Sequence, residues 1–311
     1  MPVRAALAKS GRLLSYRLNK PFYLLRPSQL VRRMAQARKP PPDAFVTARL
    51  PWGAEMDVLP REVVGSSIWR TGVFELPVSE TITRLLDPGE FAVDAGANIG
   101  YMSGLMASRV GTDGEVIAFE PHPRLYGVLT SNARRWRAQG CMGEVTVREL
   151  ALSNCLGRRL LAITEKFSSN MGTATLETVG SGSVETSIDV RAATLDEEIG
   201  ARTVALLKLD VEGHELAVLE GASRLLAEGA IRDLIFEEEE ALPTPVSQLL
   251  ESAGFTLFGL QQRLLGPRLV AATSELARPL WDAPTYLATR CPARAVERMR
   301  SRGWVVFRRN V

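Results

Sequence analysis

The sequence predicts an α/β fold, a doubly wound and mainly parallel sheet with helices on both faces. From residue 91 onward, short apolar runs of strand length alternate with longer segments that carry apolar residues at helical spacing. This alternation favours parallel strands joined through helices by right-handed crossovers. The predicted strands cover residues 91–94, 115–120, 145–150, 204–210, 234–237, 256–260 and 285–289.

Ahead of this core, the sequence predicts an extension made of a hairpin and helices. Strand patterns over 45–50 and 55–59 flank a Pro-Trp-Gly turn, and helical patterns follow at 62–69 and 78–86. The expected organisation is a basic arm over 1–42, a main domain over 43–290 with the extension at 43–88 and the α/β core at 89–290, and a basic tail over 291–311.

Length and composition exclude several classes of protein. A chain of 311 residues, 46% of them hydrophobic, fits one large domain with appendages and not a disordered, collagen-like or coiled-coil protein. No run of residues approaches the ~18 apolar positions of a membrane span, so we expect no integral membrane protein.

Charge is divided unevenly along the chain. Residues 1–39 hold ten basic residues and no acid, and residues 290–311 hold seven arginines and one glutamate. Because the whole chain has a formal charge of +3, residues 40–289 must carry −13. An acidic body argues against a protein that wraps nucleic acid. The leucine-bearing basic arm predicts peripheral contact with an anionic membrane, with a solvated or packed arm as the alternative.

The three cysteines, at positions 141, 155 and 291, are isolated from one another. Neither a zinc motif nor a disulfide framework fits their number and spacing. Reduced thiols and the lack of a continuous apolar stretch near the first residue predict a cytoplasmic protein.

The first predicted strand ends in a glycine-rich turn that is typical of a cofactor site. Asp94 enters the turn, and Gly96, Asn98 and Gly100 allow a tight bend and a close approach of ligand to backbone. A dinucleotide fingerprint would have a third glycine near Tyr101. A carboxylate at this place would repel a pyrophosphate and attract a cationic ligand, which favours S-adenosylmethionine over NAD.

The next two strand ends supply further candidate contacts. Glu120 lies about twenty residues beyond the turn, where an acid can accept hydrogen bonds from ribose hydroxyls. Asn154, after the third strand, is a candidate contact for an adenine edge. A merely structural strand-turn-helix and a solvated strand-end glutamate are the alternatives for these positions.

The fourth strand end concentrates charge. Asp210, Glu212 and His214 follow an apolar run, and charges there are costly unless they are paired, hydrated or used. Histidine exchanges protons near neutral pH, so His214 is the candidate general base. Alternatively, Asp210 and Glu212 with Glu237 from the fifth strand bind a divalent metal, or the acids simply favour the start of a helix.

An insertion over 153–199 separates the third and fourth strands. It is rich in Ser, Thr and Gly, and loops of this length are usually functional lids or disordered. We expect the region around Asn170 to contact a substrate, together with Glu237 of the fifth strand.

These residues together resemble the FkbM-type family of S-adenosylmethionine-dependent methyltransferases. The similar segments are Thr71-Gly-x-Phe-Glu75, Asp94-x-Gly-Ala-Asn-Ile-Gly100, Ala118-Phe-Glu-Pro-x-Pro123, Ala151-Leu-Ser153, Thr194-Leu-Asp196 and Leu209-Asp-Val-Glu-Gly-x-Glu215. The chain departs from the family at Asn154, where the family often has aspartate. The catalytic assignment of His214 rests on its chemistry and not on the resemblance.

The resemblance implies a seven-stranded methyltransferase sheet and O-methyl transfer to a hydroxyl of a sugar, glycolipid or secondary metabolite. It also implies Gly96, Asn98 and Gly100 as the cofactor turn, Glu120 as the ribose acid and Asp210 at the reacting end. Two alternatives remain, a nucleic-acid methyltransferase that uses the basic ends and a non-catalytic, membrane-associated scaffold that kept the fold.

Overall fold

A computed structural model describes residues 41–164, 174–176, 184–272 and 284–307. The basic arm, Asn170 and most of the central part of the insertion lie outside these described residues. In the described part of the chain, no helix combines the length and the apolar composition needed to cross a membrane.

The main sheet confirms the predicted fold class. Its strands are β3 (Phe91–Ala95), β4 (Glu115–Phe119), β5 (Glu144–Arg148), β9 (Val204–Leu209), β10 (Ile231–Glu237), β11 (Thr256–Arg263), β12 (Gly266–Ala271) and β13 (Thr285–Thr289). Their order across the sheet is β12-β11-β13-β10-β9-β3-β4-β5. The neighbours from β10 to β5 are parallel, whereas β13 is antiparallel to both β10 and β11.

All seven predicted strands are present, and β12 is an addition that the sequence analysis missed. It pairs antiparallel with β11 at the edge of the sheet. The strand begins with Gly266-Pro267, a dipeptide typical of turns, which hides it from a search for apolar alternation. Proline is tolerated there because an edge strand has one side without ladder partners.

The predicted hairpin is formed by β1 (Val46–Arg49) and β2 (Glu55–Val58), which pair antiparallel. The helices are α1 (Val63–Thr71), α2 (Leu76–Leu85), α3 (Tyr101–Val110), α4 (Pro123–Gln139), α5 (Leu195–Ile199), α6 (Glu215–Glu220), α7 (Ser223–Ala227), α8 (Pro245–Ser252) and α9 (Pro292–Arg300). Trp136 of α4 donates from Nε1 to the Glu55 carbonyl at 2.9 Å, and Arg135 pairs with Asp57. These contacts fix the hairpin on α4.

The insertion contains regular structure and is not a loop throughout. Strands β7 (Gly157–Thr164) and β8 (Val184–Ala193) pair antiparallel, and β6 (Ala151–Leu152) joins β8 in a separate three-stranded sheet. Burial alternates along the second half of β7, so one face carries the buried Leu161 and Ile163, whereas Leu160 is exposed.

Apolar side chains cover both faces of the main sheet. Ala92 and Leu206 belong to one core cluster, while their chain neighbours Val93 and Leu207 belong to another. Successive side chains of a strand point to opposite faces, so this alternation is what a sheet covered by helices on both sides requires.

Two arginines of the C-terminal segment, Arg294 and Arg298, are ion-paired within the fold. Arg298 contacts Asp87 at 2.7 Å, and Arg294 contacts both Asp87 and the buried Asp233. The Arg298 guanidinium holds the pKa of Asp87 below its usual range. Residues 292–300 thus form a packed helix, α9, although the sequence suggested a basic tail.

Replacing Asp233 with asparagine should destabilise the fold. Asp233 is fully buried, pairs with Arg232 and Arg294, and accepts from Thr289 Oγ1 at 2.6 Å. Its charge is shared by Arg232 and Arg294, which keep Glu90 and Asp87 as partners, so removing it weakens two ion pairs and costs about 2 kcal/mol in free energy of unfolding. Urea unfolding measures this loss.

The matched control is Glu297→Gln, because Glu297 lies 4.0 Å from Arg300 in an exposed pair. We expect its free energy of unfolding to change by less than about 0.5 kcal/mol. Equal losses in the two variants would contradict the structural role given to Asp233.

Candidate functional site

The parallel strands bring their polar end residues to one edge of the main sheet. Asp94 is near the end of β3, Glu120 follows β4, Asp210 follows β9, and Glu237 ends β10. In the β3–β9 ladder, Asp94 lies opposite Lys208. The carboxyl ends of adjacent parallel strands are where ligands bind in sheets of this kind.

The turn between β3 and α3 needs glycine at two positions. Gly96 has φ +78°, and a Cβ there would lie 1.8 Å from the Asp210 carbonyl oxygen. Gly100 has φ +93°, and a Cβ would meet Leu129 Cδ1 at 2.4 Å. Asn98 between them also has a positive φ, of 52°. The first glycine lets two strand ends approach, and the second lets α3 start against α4.

Glu120 is built into this turn. One carboxylate oxygen accepts from the Asn98 amide at 2.8 Å, and the other accepts from the His122 amide at 2.9 Å. Burial raises the pKa of Glu120 to about 7, although the two hydrogen bonds act in the opposite direction. Each oxygen keeps a second lone pair, so the carboxyl group can still accept bonds from hydroxyls.

Asp94 is fully buried and only partly satisfied. Its Oδ2 accepts from Ser103 Oγ at 2.5 Å, whereas Oδ1 has no hydrogen-bond partner within the described ranges. Burial raises the pKa of Asp94, and the charge of Lys208 opposes that effect. A buried acceptor without a donor is a place where a ligand donor fits.

Lys208 is a site residue that the sequence analysis did not select. Its Nζ lies 2.8 Å from Asp210 Oδ2 and 3.8 Å from Asp94 Oδ1. Although burial alone would lower the pKa of Lys208, the charges of Asp210 and Asp94 raise it overall. The available signal was a single lysine in β9, a strand whose other five residues are apolar and buried.

A second strained turn follows β9. Glu212 has φ +52°, a conformation rare outside glycine, and the Glu215 carboxylate accepts from the Val211 and Gly213 amides. From the insertion, Thr175 Oγ1 donates to the Glu212 carbonyl at 2.7 Å. The insertion therefore reaches the turn that follows β9.

Acidic side chains surround this second turn. Burial, together with the charges of Glu75 and Asp210, raises the pKa of Glu237 to about 9. Partial enclosure and the charges of Asp210 and Glu215 also raise the pKa of Glu212. Because the Glu212 side chain remains exposed to solvent, we expect a smaller shift for it than for Glu237. Glu75, just before α2, has a positive φ of 40°.

His214 and Asn154 lie where α6 meets the end of β6. His214 is buried at the start of α6, and its Nε2 lies 3.0 Å from Ser153 Oγ. The Asn154 side chain donates to Glu220 Oε2 at 2.9 Å. His214 therefore contacts a hydroxyl across the helix start, a contact that its position in the sequence did not indicate.

In the described residues, no group of three Asp, Glu, His or Cys side chains has an arrangement that could hold a metal ion. Asp210, Glu212 and Glu237, the ligands of the metal alternative, thus do not form such a group.

The arrangement around the first turn fits S-adenosylmethionine. This cofactor carries an ammonium and a sulfonium, and Asp94 offers a buried carboxylate oxygen with free lone pairs. Glu120 supplies acceptors one strand away, on the far side of the glycine turn. Acids at both places suit a cation with a ribose better than they suit a pyrophosphate.

Comparison with known proteins gives a family match over the same residues. The family model described as Methyltransferase FkbM domain matches residues 94–257. The methyltransferase sdnD of Sordaria araneosa is 29% identical, over 55% of this chain and 76% of that protein. The hexuronic acid methyltransferase AglP of Haloferax volcanii is also 29% identical, over 60% of this chain and 72% of that protein.

Among solved structures, the FkbM methyltransferase of Methylobacillus flagellatus aligns with 18% identity and a TM-score of 0.39. The alignment covers 73% of this chain and 48% of that chain, so this protein spans about half the length of that one.

The family match confirms the resemblance drawn from the sequence motifs. It covers more than half of the 311 residues and includes the turn after β3 and the strand ends at Glu120 and Asp210. The chain belongs to the family of the FkbM methyltransferase domain.

Proposed function

We propose that the protein is an S-adenosylmethionine-dependent O-methyltransferase that acts on a hydroxyl of a sugar, glycolipid or secondary metabolite. The observation that carries the proposal is the buried Asp94 oxygen without a donor, placed beside the Gly96 turn and one strand away from Glu120. The name of the relative AglP, a hexuronic acid methyltransferase, supports an acceptor of the sugar type.

S-adenosylmethionine, when bound, supplies a methyl group on a positively charged sulfur. Asp94 would accept from the ammonium of the bound cofactor, Glu120 would accept from its ribose hydroxyls, and the Gly96–Gly100 turn would bring backbone close to it. These contacts would fix the cofactor at the sheet edge, and alignment of the reacting groups accounts for much of the rate of a displacement reaction.

The hydroxyl of the acceptor must lose a proton as its oxygen is methylated. Asp210 is poorly placed for this task because its charge is paired with Lys208 at 2.8 Å. Glu212 is exposed at the same edge, and its raised pKa suits a group that takes up a proton. We therefore assign proton removal to Glu212, and a supporting role at the start of α6 to His214.

The charge of this edge favours an acceptor that is uncharged near the reacting hydroxyl. Glu75, Asp210, Glu212 and Glu237 lie around the ammonium of Lys208, which is already paired with Asp210. The raised pKa keeps Glu237 mostly protonated at neutral pH, so the described residues of this edge offer a phosphodiester no free cation to bind, and the edge gains negative charge as the pH rises. The acidic edge therefore argues against the alternative of a nucleic-acid methyltransferase.

Replacing Asp94 with asparagine should weaken cofactor binding. Loss of a charge-assisted contact to the cofactor ammonium costs about 2 kcal/mol, so we expect S-adenosylhomocysteine to bind about 30-fold less tightly. Calorimetric titration measures the affinity, and the control is Asp113→Asn in the exposed turn before β4. Equal affinities of the two variants would refute the role of Asp94.

Replacing Glu212 with glutamine should slow methyl transfer about 100-fold or more, whereas His214→Gln should change the rate by less than about threefold. The wild-type rate should rise with pH, with an apparent pKa above the usual pKa of a glutamate, because the base must lose its proton before it can act. Glu212→Gln should remove this rise of the rate with pH. The acceptor must be identified first, by mass spectrometry of glycan and lipid extracts, as a molecule whose mass increases by one methylene group when the protein is present.

A rise of the rate with pH that persists in Glu212→Gln and disappears in His214→Gln would overturn this assignment and restore the histidine as the base. Full activity in both variants would exclude both residues.

The free energy of unfolding should fall between pH 6 and pH 9, in part because of Glu237. A carboxyl whose pKa is raised from 4.5 to about 9 on folding stabilises the protein below the unfolded pKa. This stabilisation is lost as the pH rises through the folded pKa, with a slope of at most about 1.4 kcal/mol per pH unit. Urea unfolding at several pH values should show a shallower decline for Glu237→Gln.

The control for this experiment is Glu240→Gln, at an exposed position three residues further on. This variant should follow the wild-type curve. A Glu237→Gln curve parallel to that of the wild type would contradict the electrostatic account of this edge.

A further inference from the structure

We propose that Lys208 is a positioning residue for the cofactor site, which holds Asp94 charged and in place without occupying the carboxylate oxygen that receives the ligand. This inference rests on the proposed function, because it concerns how Asp94 is prepared to bind the ammonium of S-adenosylmethionine.

Lys208 lies in the interior of the main sheet. Lys208 is in β9, between β3 and β10 at the centre of the sheet, and only 7% of its side chain is exposed. The other five residues of β9 are apolar. Burying an ammonium is costly unless it is paired, so a charge at this position requires partners.

The partners of Lys208 lie at the ends of two neighbouring strands. Lys208 makes a close contact with Asp210 at 2.8 Å and a longer one of 3.8 Å with Asp94 Oδ1. It also donates to the Gly96 carbonyl at 3.5 Å. One ammonium therefore joins the strand end of β3, the glycine turn and the end of β9.

The longer contact, between Lys208 and Asp94, leaves the Oδ1 atom of Asp94 available to a ligand. At 3.8 Å the ammonium stabilises the charge of Asp94 without donating a hydrogen bond to Oδ1. Ser103 satisfies the other oxygen at 2.5 Å. Lys208 thus favours the charged form of Asp94 and Ser103 fixes the carboxylate, while the lone pairs of one oxygen remain available to a ligand.

Among the described residues, the other groups whose charges act on Asp94 or Lys208 are acids. The charges of Glu75 and Asp210 act on Lys208, and those of Lys208 and Asp94 act on Glu120. Glu212 and Glu237 complete the set. Without the lysine, Asp94 would still face the like charge of Asp210, so its pKa would rise further and it would take up a proton at a higher pH.

The test is the pH dependence of S-adenosylhomocysteine binding to the full chain, by calorimetric titration from pH 6 to pH 9. We expect Lys208→Met to bind about tenfold or more less tightly at pH 7, and to recover part of the affinity as the pH rises and Asp94 ionises. Lys208→Arg keeps the charge and should show the wild-type pH profile, with affinity within about threefold. Arg268→Met, a cation removed from the exposed part of β12, should behave as wild type.

Each outcome decides a different point. Failure of the wild type to bind S-adenosylhomocysteine would refute the proposed function itself. If the wild type binds and Lys208→Met matches it in affinity and pH profile, the positioning role is wrong. If Lys208→Met does not fold, Lys208→Arg decides, since near-wild-type binding supports a role of charge. Weak binding by Lys208→Arg with an unshifted pH profile would overturn the proposed role of charge, because it would show that the shape of the lysine side chain matters instead.

Discussion

The turns that follow β3 and β9 lie directly against each other, and Asp94, Lys208 and Asp210 take their positions from this contact. The Asp210 amide donates to the Ala95 carbonyl at 3.1 Å, and the Lys208 ammonium reaches the Gly96 carbonyl from the same strand. Gly96 must lack a side chain because the Asp210 carbonyl fills the space that a Cβ would need. The contact places an acid of each strand beside one buried ammonium.

The same edge of the sheet holds two groups of acids in different environments. Asp94 and Glu120 are buried and bonded to Ser103 and to backbone amides, so they are fixed before any ligand arrives. Glu212 and Glu237 are more open to solvent and lie among like charges. Rigid, buried acceptors suit the binding of a cationic cofactor, and accessible carboxyl groups with raised pKa values suit proton exchange with an acceptor.

Sequence reasoning located the strand ends because parallel strands carry their polar residues to a common edge, a rule that needs no tertiary detail. It missed β12, which starts with Gly-Pro, and the hairpin inside the insertion, whose polar composition resembles a loop. The ion pairs of Lys208 depend on the register between β3 and β9, which one strand alone cannot indicate. Likewise, the Ser153–His214 contact joins residues 61 positions apart, which proximity in the sequence cannot indicate.

Amide hydrogen exchange of the full chain, measured with and without S-adenosylhomocysteine, tests most directly that these two turns form the cofactor site. The account predicts slower exchange on binding in residues 94–100 and 208–213, with no change in the hairpin of β1 and β2. Binding that leaves both turns unchanged, or that protects only segments away from this edge of the sheet, would contradict it.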